Sequence, residues 1–478
     1  MEWLAAHDYD VARVLFQRGL ALIYVMAFLV AVRQFRPLLG ERGLLPAPHF
    51  LAAVPFGSAP SLFHLRYSDR LFGVVAWTGL VLALAALTGL TDLVPLPVAM
   101  LVWLALWALY LSIVNIGQTF YSFGWETLLL EAGFLAIFLG NATTATPLPL
   151  VVLVRWLLFR VEFGAGLIKM RGDPCWRDLT CLYYHHETQP MPNPLSWHFH
   201  HLPKRFHRLE VLGNHGAQLV VPFLLFFPQP VASLAALAIV VTQGWLLLSG
   251  NFSWLNLITI VLAAMAFDDG TLGLVVPLAQ GSPPGPELWH GAVVIVVTGI
   301  IAVLSYRPAR NLVSRRQLMN SSFDPLHLVN TYGAFGSITR ERFEIVIEGT
   351  DEAVLTPSTR WREYEFKGKP GDIRRRPPQY APYHLRLDWL MWFAAMSSPA
   401  YHEWFLPFLL RLLEADRPTL GLLGNDPFAG VAPRYVRALL YLYRFTTPAE
   451  RKADRAWWSR QLVGEYVPPL SLARLRGR

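Results

Sequence analysis

Between residues 15 and 304 long apolar runs alternate with short polar breaks, and charge nearly vanishes inside the runs. Such runs match the roughly 30 Å hydrocarbon core of a bilayer, where every backbone polar group needs an internal partner, so they are expected to cross a membrane as helices. About nine spans are expected, over 15–32, 72–90, 94–114, 127–139, 148–168, 211–227, 231–249, 252–267 and 291–304. One side then holds only short links (91–93, 140–147, 227–230 and a Gly/Pro-rich 268–290), whereas 33–71, 115–126, 169–210 and the C-terminal part gather on the other. Function is expected on that long-loop side.

From 305 the pattern becomes that of a soluble domain. Phe343, Ile345 and Ile347 alternate with Glu344, Val346 and Glu348 ahead of Gly349 and Thr350, which predicts a half-buried strand; 361–366 predicts a second. Gly368, Pro370, Gly371, Pro377 and Pro378 break the pattern into loops. From His384 the period is helical, with helices expected over 384–393, 404–413, 436–445 and 450–462. The expected architecture is an all-α polytopic membrane bundle over 1–304, followed by a small soluble α+β domain over 305–478, strands first and helices after.

Composition agrees with the membrane reading. Of 478 residues, 54% are hydrophobic and 15% charged, against about 25% charged in soluble chains. The first apolar run has mixed charge before it and a basic loop after it, and is read as a retained span. The net charge is +8, and lysine occurs only at 169, 204, 367, 369 and 452. In a membrane protein such an excess marks loops facing anionic lipid, so membrane lipid is an expected partner and nucleic acid is not. Counting cations in the long loops places them in the cytoplasm by the positive-inside rule.

Several residues are candidates for chemistry. Arg155, Arg160 and Glu162 lie in the fifth span, Glu131 lies in the fourth and Glu126 at its mouth. Charges there need partners, so a Glu–Arg clamp between adjacent helices is expected, with a polar cavity as the functional alternative. Lys169 emerges where the fifth span ends; it either snorkels to the interface or acts as a base. Cys175 and Cys181 are too few for a disulfide scaffold; they would be bridged outside the cytoplasm and free inside it. The loop beyond carries Asp173, His185, His186, Glu187, Asn193, His198, His200 and His201. Its spacing fits no zinc signature and its prolines keep the middle extended, so no metal is expected. It reads as an interfacial loop anchored by Trp176, Tyr183, Tyr184 and Trp197 at headgroup depth. The chain has no phosphate loop, dinucleotide fingerprint, nucleophile elbow or His-Glu-x-x-His.

The string GDPCWRDLTCLYYHHETQPMPNPLSWHFHHLP at 172–203 resembles the signature of the lipase maturation factor family. So do YSFGWE at 121–126, SGNFSWLN at 249–256, NTYGAFG at 330–336, EYEFK at 363–367, KPGD at 369–372 and APYHLRLDWLMWFAA at 381–395. The resemblance spans nearly the whole chain. It implies a non-catalytic, cofactor-free role: a membrane factor that helps secreted, lipase-like clients fold and assemble. For eukaryotic members it implies the endoplasmic reticulum membrane, with the long loop and C-terminal domain outside the cytoplasm, against the charge count. An Arg-, Ala- and Leu-rich composition suggests a GC-rich bacterial genome, for which the membrane would be the inner one. Carried over, Cys175 and Cys181 would be the paired cysteines of the lumenal loop. Client contacts would fall between 333 and 395 and around them, at Tyr332, Phe335, Arg342, Glu365, Lys367, Asp372, His384, Asp388, Trp389 and Trp392. Family members often have a cysteine between the two lysines where this chain has Gly368, which removes any redox duty from that position. A smaller stretch, Ala165 to Lys169 with the Trp-containing loop after it, is similar to the lysine segment of vitamin K-dependent gamma-carboxylase. That similarity implies an alternative: Lys169 as the base acting on a lipid-soluble quinone, in a pocket lined by Glu126, Glu131, Arg155 and Arg160.

Overall fold

The computed structural model describes residues 1–275 and 283–476. Part of the expected 268–290 link, 276–282, lies outside the described residues.

The main helices are α1 (Asp10–Leu39), α2 (Asp69–Thr88), α3 (Leu96–Ile116), α4 (Gly124–Ala136), α5 (Leu148–Arg171), α6 (Leu182–Thr188), α7 (Ser196–His200), α8 (Lys204–Leu219), α9 (Val231–Ser249), α10 (Leu255–Ala263) and α11 (Leu288–Leu304). Among the described residues, five are long and apolar enough to cross a membrane: α1, α2, α3, α9 and α11, the last continuing to Val313. Their outer faces carry the exposed apolar residues that lipid would cover: Val74, Trp77 and Val81 on α2, Leu234, Leu237 and Val241 on α9, Val296, Ile300 and Val303 on α11. α1 is the hub. Phe16, Leu20, Tyr24, Phe28 and Ala31 are fully buried, and α1 packs along α2, α10 and α4.

Nine expected spans thus reduce to five candidate ones. α4 has 13 residues and α10 has 9, too short to cross alone. α5 has the length but buries Arg155, Arg160 and Glu162. The run 211–227 is not one span: a polar helix starts earlier, at Lys204, and ends at Leu219, and Val220 interrupts the helix before Val221–Leu224.

The C-terminal region contains one antiparallel sheet in the order β2-β1-β3-β4, made by β1 (Arg342–Thr350), β2 (Arg362–Glu363), β3 (Tyr435–Phe445) and β4 (Trp458–Leu470). Ile345 faces Leu440 and Ile347 faces Ala438 across β1 and β3. Helices α12 (Arg386–Ala394) and α13 (Phe405–Leu413) pack on it. The expected helix over 436–445 is a strand, and of 450–462 only Pro448–Asp454 is helical. Val436 and Ala438 are buried at even positions but Tyr443 and Phe445 at odd ones, so the period of two breaks across Leu439–Leu442 and reads as helical. The aromatic and β-branched content of Tyr435, Val436, Tyr441, Tyr443 and Phe445 was the better signal. Strand β4 is an edge strand, so it tolerates its prolines.

The membrane helices and the C-terminal region share one continuous core, in which Trp254 and Tyr110 lie with Trp389, Leu387 and Phe408.

Candidate functional site

The 169–210 segment is folded into the protein. Cys175 and Cys181 form a disulfide with Cα atoms 4.8 Å apart. Asp173 caps the turn before it, accepting from the Cys175 amide at 3.0 Å and from Arg340 Nη2 at 2.8 Å. Partial burial would raise the Asp173 carboxyl, but Arg340 and the backbone donors hold it below its usual range. Trp176 and Trp197 are buried, and do not anchor the loop at headgroup depth. The Trp176 indole donates to the Phe335 carbonyl at 2.8 Å and the Trp197 indole to the Thr446 carbonyl at 2.8 Å. Both therefore tether the loop to the C-terminal region. Arg342 does so from the other side, donating to the carbonyls of Glu187, Gln189 and Pro190 at 2.9, 2.5 and 3.1 Å. The same guanidinium pairs with Glu344 at 2.6 Å, and Lys369 pairs with that carboxylate at 2.9 Å, all fully buried.

The polar residues of the loop are dispersed around these tethers. Asn193 bridges to the Leu248 carbonyl at 3.0 Å. Glu187 accepts from the Phe445 amide at 2.6 Å, and burial pushes its carboxyl up. His185 lies against Phe335, 5.1 Å between centroids, and burial, then Lys169, lowers it to about 3. His200 is lowered to about 4, burial again leading. His201 bonds the Trp197 carbonyl and His198 is exposed.

The intramembrane charges divide into separate sites. Glu131 pairs with Arg160, as a clamp between α4 and α5 requires. It also accepts from the Asn330 amide at 3.0 Å and the Tyr332 hydroxyl at 2.8 Å, so the NTYGAFG segment is bound into the same cluster. Glu126 does not pair with Arg155 or Arg160. Its partner is Arg386, at 2.7 Å, with Tyr110 donating to the other carboxylate oxygen and His384 Nδ1 3.7 Å away. Arg386 stacks on the Tyr121 ring and donates to the Phe120 carbonyl at 2.7 Å. Arg155 pairs with no carboxylate among the described residues; it donates to the Met265 and Leu225 carbonyls at 3.1 Å and to the Tyr9 hydroxyl at 2.9 Å.

A cavity of about 840 Å³ lies between α5, α8, α9, α10 and α12, mostly apolar, with Trp125, Phe252, Trp389 and Trp392 in its wall. Its polar wall runs from Asn256 through Gln243 to Glu162, and from Gln218 through Lys169 to Asn214. Asn256 Nδ2 donates to Gln243 Oε1 at 2.7 Å, Gln243 Nε2 to Glu162 Oε1 at 2.6 Å, and Lys169 Nζ to Gln218 and Asn214 at 2.8 and 2.9 Å. Lys169 also sits 4.8 Å over the Trp176 ring, so it turns inward and does not snorkel. Glu126, Glu131, Arg155 and Arg160 do not line this cavity; they are consumed in the packed clusters above. The space suits an apolar chain carrying a polar end.

The expected client surface is mainly interior. Tyr332, Arg342, His384, Asp388 and Trp389 are buried, and they join the C-terminal region to the membrane helices and the loop. Asp388 accepts from the amides of Gly368 and Lys369 at 2.6 and 3.1 Å. A Cβ at Gly368 would come within 2.8 Å of the Met191 sulfur, so a cysteine there needs that contact to yield. Glu365, Lys367, Phe335 and Trp392 are half-buried, and Asp372 is exposed. Sequence reasoning missed Arg386, Asn214, Gln218, Gln243, Asn256, His207 and Glu210. Polar residues in apolar runs were the available signal for Gln218, Gln243 and Asn256; Arg386 stood inside the 381–395 motif, but nothing in the sequence named its partner.

Residues 11–274 match the family model described as lipase maturation factor transmembrane domain, and 328–468 match lipase maturation factor C-terminal domain. Lipase maturation factor 1 of Bos taurus is 44% identical over 99% of this chain and 91% of its own length. The Homo sapiens protein of that name is 43% identical over 97% and 88%, and Homo sapiens lipase maturation factor 2 is 30% identical over 96% and 82%. These relatives are mammalian and do not bear on the bacterial source suggested by composition. No solved structure matches the chain. The chain belongs to the lipase maturation factor family.

Proposed function

We propose that the protein is a membrane-embedded maturation factor that helps secreted lipase-type clients fold and assemble. The carrying observation is the match to lipase maturation factor 1 over almost the full length of both chains, loop and C-terminal region included. The structure supports a non-catalytic reading: most family-motif residues are spent on internal bonds that weld loop, membrane helices and sheet together. In cells lacking their own factor, co-expression with a lipase client should restore secreted lipase activity. Truncation before Trp389 should abolish it. If the intact chain reaches the membrane and secreted activity stays at background for every client tried, the reading fails.

We place the loop and the C-terminal region outside the cytoplasm, in the endoplasmic reticulum lumen for eukaryotic relatives. The disulfide favours that side, because reducing compartments keep such thiols free. Thiol labelling of Cys175 and Cys181 should need both membrane access from outside and prior reduction. Labelling without reductant, and only after permeabilisation, would overturn the placement.

The quinone-enzyme alternative has one observation in its favour, the cavity beside Lys169. A base must be a neutral amine with a free lone pair. Here the lysine donates to two amide oxygens, which a neutral amine with a free lone pair and an ammonium ion can both do, so these bonds do not separate the two readings. Lys169→Gln should leave client maturation nearly unchanged per folded chain; an enzyme using Lys169 as base would lose its activity.

A further inference from the structure

We propose that His186, His207 and Glu210 hold a divalent transition-metal ion of the zinc type, pinning the disulfide-closed loop onto α8. One ligand atom from each lies within 4.8 Å of the others. The three come from two elements, His186 from α6 and the other two from α8, where their i,i+3 spacing puts them on one face.

The unexplained feature is His186. It is 2% exposed, and neither ring nitrogen has a hydrogen-bond partner among the described residues. A buried polar atom left unpaired is destabilising, because it has given up its water without gaining a partner. The ring faces His207, with centroids 5.5 Å apart. His207 Nδ1 and Glu210 Oε2 are 2.8 Å apart, which a hydrogen bond accounts for, but that bond gives His186 nothing. An ion between the three would satisfy the orphan ring. Glu210 is already oriented as an outer-shell partner orients a ligand: its Oε1 accepts from the Trp245 indole at 2.7 Å. Two imidazoles and one carboxylate suit zinc, which takes three protein ligands where a fourth position stays open. His186 and Glu210 also line the cavity, so that position is open to its interior.

The separation in the chain explains why spacing hid this set. The histidine-rich run at 198–201 drew attention, whereas the i,i+3 pair lies beyond it, on a helix whose start was expected later.

The test uses the full chain, untagged, in detergent micelles, stripped with chelator and dialysed against zinc. Mass spectrometry should find one tightly held zinc per chain, and cobalt(II) should give the ligand-field bands of a four-coordinate site. His186→Ala and Glu210→Gln should lose both signals, while His198→Ala, in the same loop, keeps them. Should the site variants fail to fold, the wild-type cobalt spectrum decides alone. Absence of those bands and of bound zinc in the wild type, or full retention in a folded His186→Ala, overturns the proposal.

Discussion

At the scale of single residues, Glu126 is coupled to Arg386 and His384, all fully buried. Removing one member of a buried ion pair strands the other, at a cost of about 3–5 kcal/mol, whereas removing both is far milder. Arg386→Met should therefore lower the thermal midpoint of the purified protein sharply, and adding Glu126→Gln should recover much of the loss. A double variant no more stable than Arg386→Met would show that the pair is not the cause. His384 gives a pH signature. Burial, then the neighbouring Arg386, lowers its imidazole from the ordinary 6.5 to about 4. The unfolded chain thus binds the proton first, so this contribution is complete above pH ~6.5 and is lost as pH falls toward ~4, by about 3 kcal/mol at most. Thermal midpoints measured across that window should fall less steeply in His384→Gln; parallel profiles would refute the assignment. The need for a partner at Glu126 was legible in the sequence, because a charge at a span mouth is costly. Its identity was not. Arg386 lies 260 positions away, and spacing carries no information at that range.

At the scale of elements, apolar runs were legible and their partition was not. Run length separates α1, α2 and α3 cleanly, because each is by itself long and apolar enough to cross a membrane. α5 defeats the rule because its apolar content serves protein–protein packing and its charges are satisfied internally. Strands β3 and β4 defeated it because a bulged strand with clustered leucines also meets a helical period. The loop shows the same lesson in reverse. Trp176 and Trp197 look like interfacial anchors by composition, yet each indole finds a backbone carbonyl in the C-terminal region. Trp197→Phe should keep the packing and lose that bond, about 1 kcal/mol. Replacing both cysteines by serine removes a short-loop constraint worth about 2–3 kcal/mol. Limited proteolysis should show the 169–210 segment cut faster in both variants, with the double-serine chain faster still. Unchanged cleavage would mean that neither the Trp197 bond nor the disulfide is what holds the loop.

At the scale of the molecule, two family models divide the chain at a boundary that the packing does not respect. A free-standing soluble domain over 305–478 would carry its own closed core. Instead the region presents Tyr332, Asn330, His384, Arg386 and Trp389, all buried, to Glu131, Glu126, Trp125 and Trp254 of the membrane half. Separated, the fragment would expose the Trp389 face and strip Arg386 and Tyr332 of Glu126 and Glu131, their carboxylate acceptors. The membrane half would suffer equally, keeping two carboxylates in its core with fewer donors. Expressed alone, 305–478 should therefore be insoluble or rapidly proteolysed, and co-expression with 1–304 should yield a complex that survives detergent extraction. A cooperative thermal transition from the isolated fragment would refute this. If the prediction holds, the client surface cannot be reduced to the sheet. It must be built on the composite face where loop, sheet and membrane helices meet, and variants that loosen the weld should impair maturation without touching a client-facing side chain.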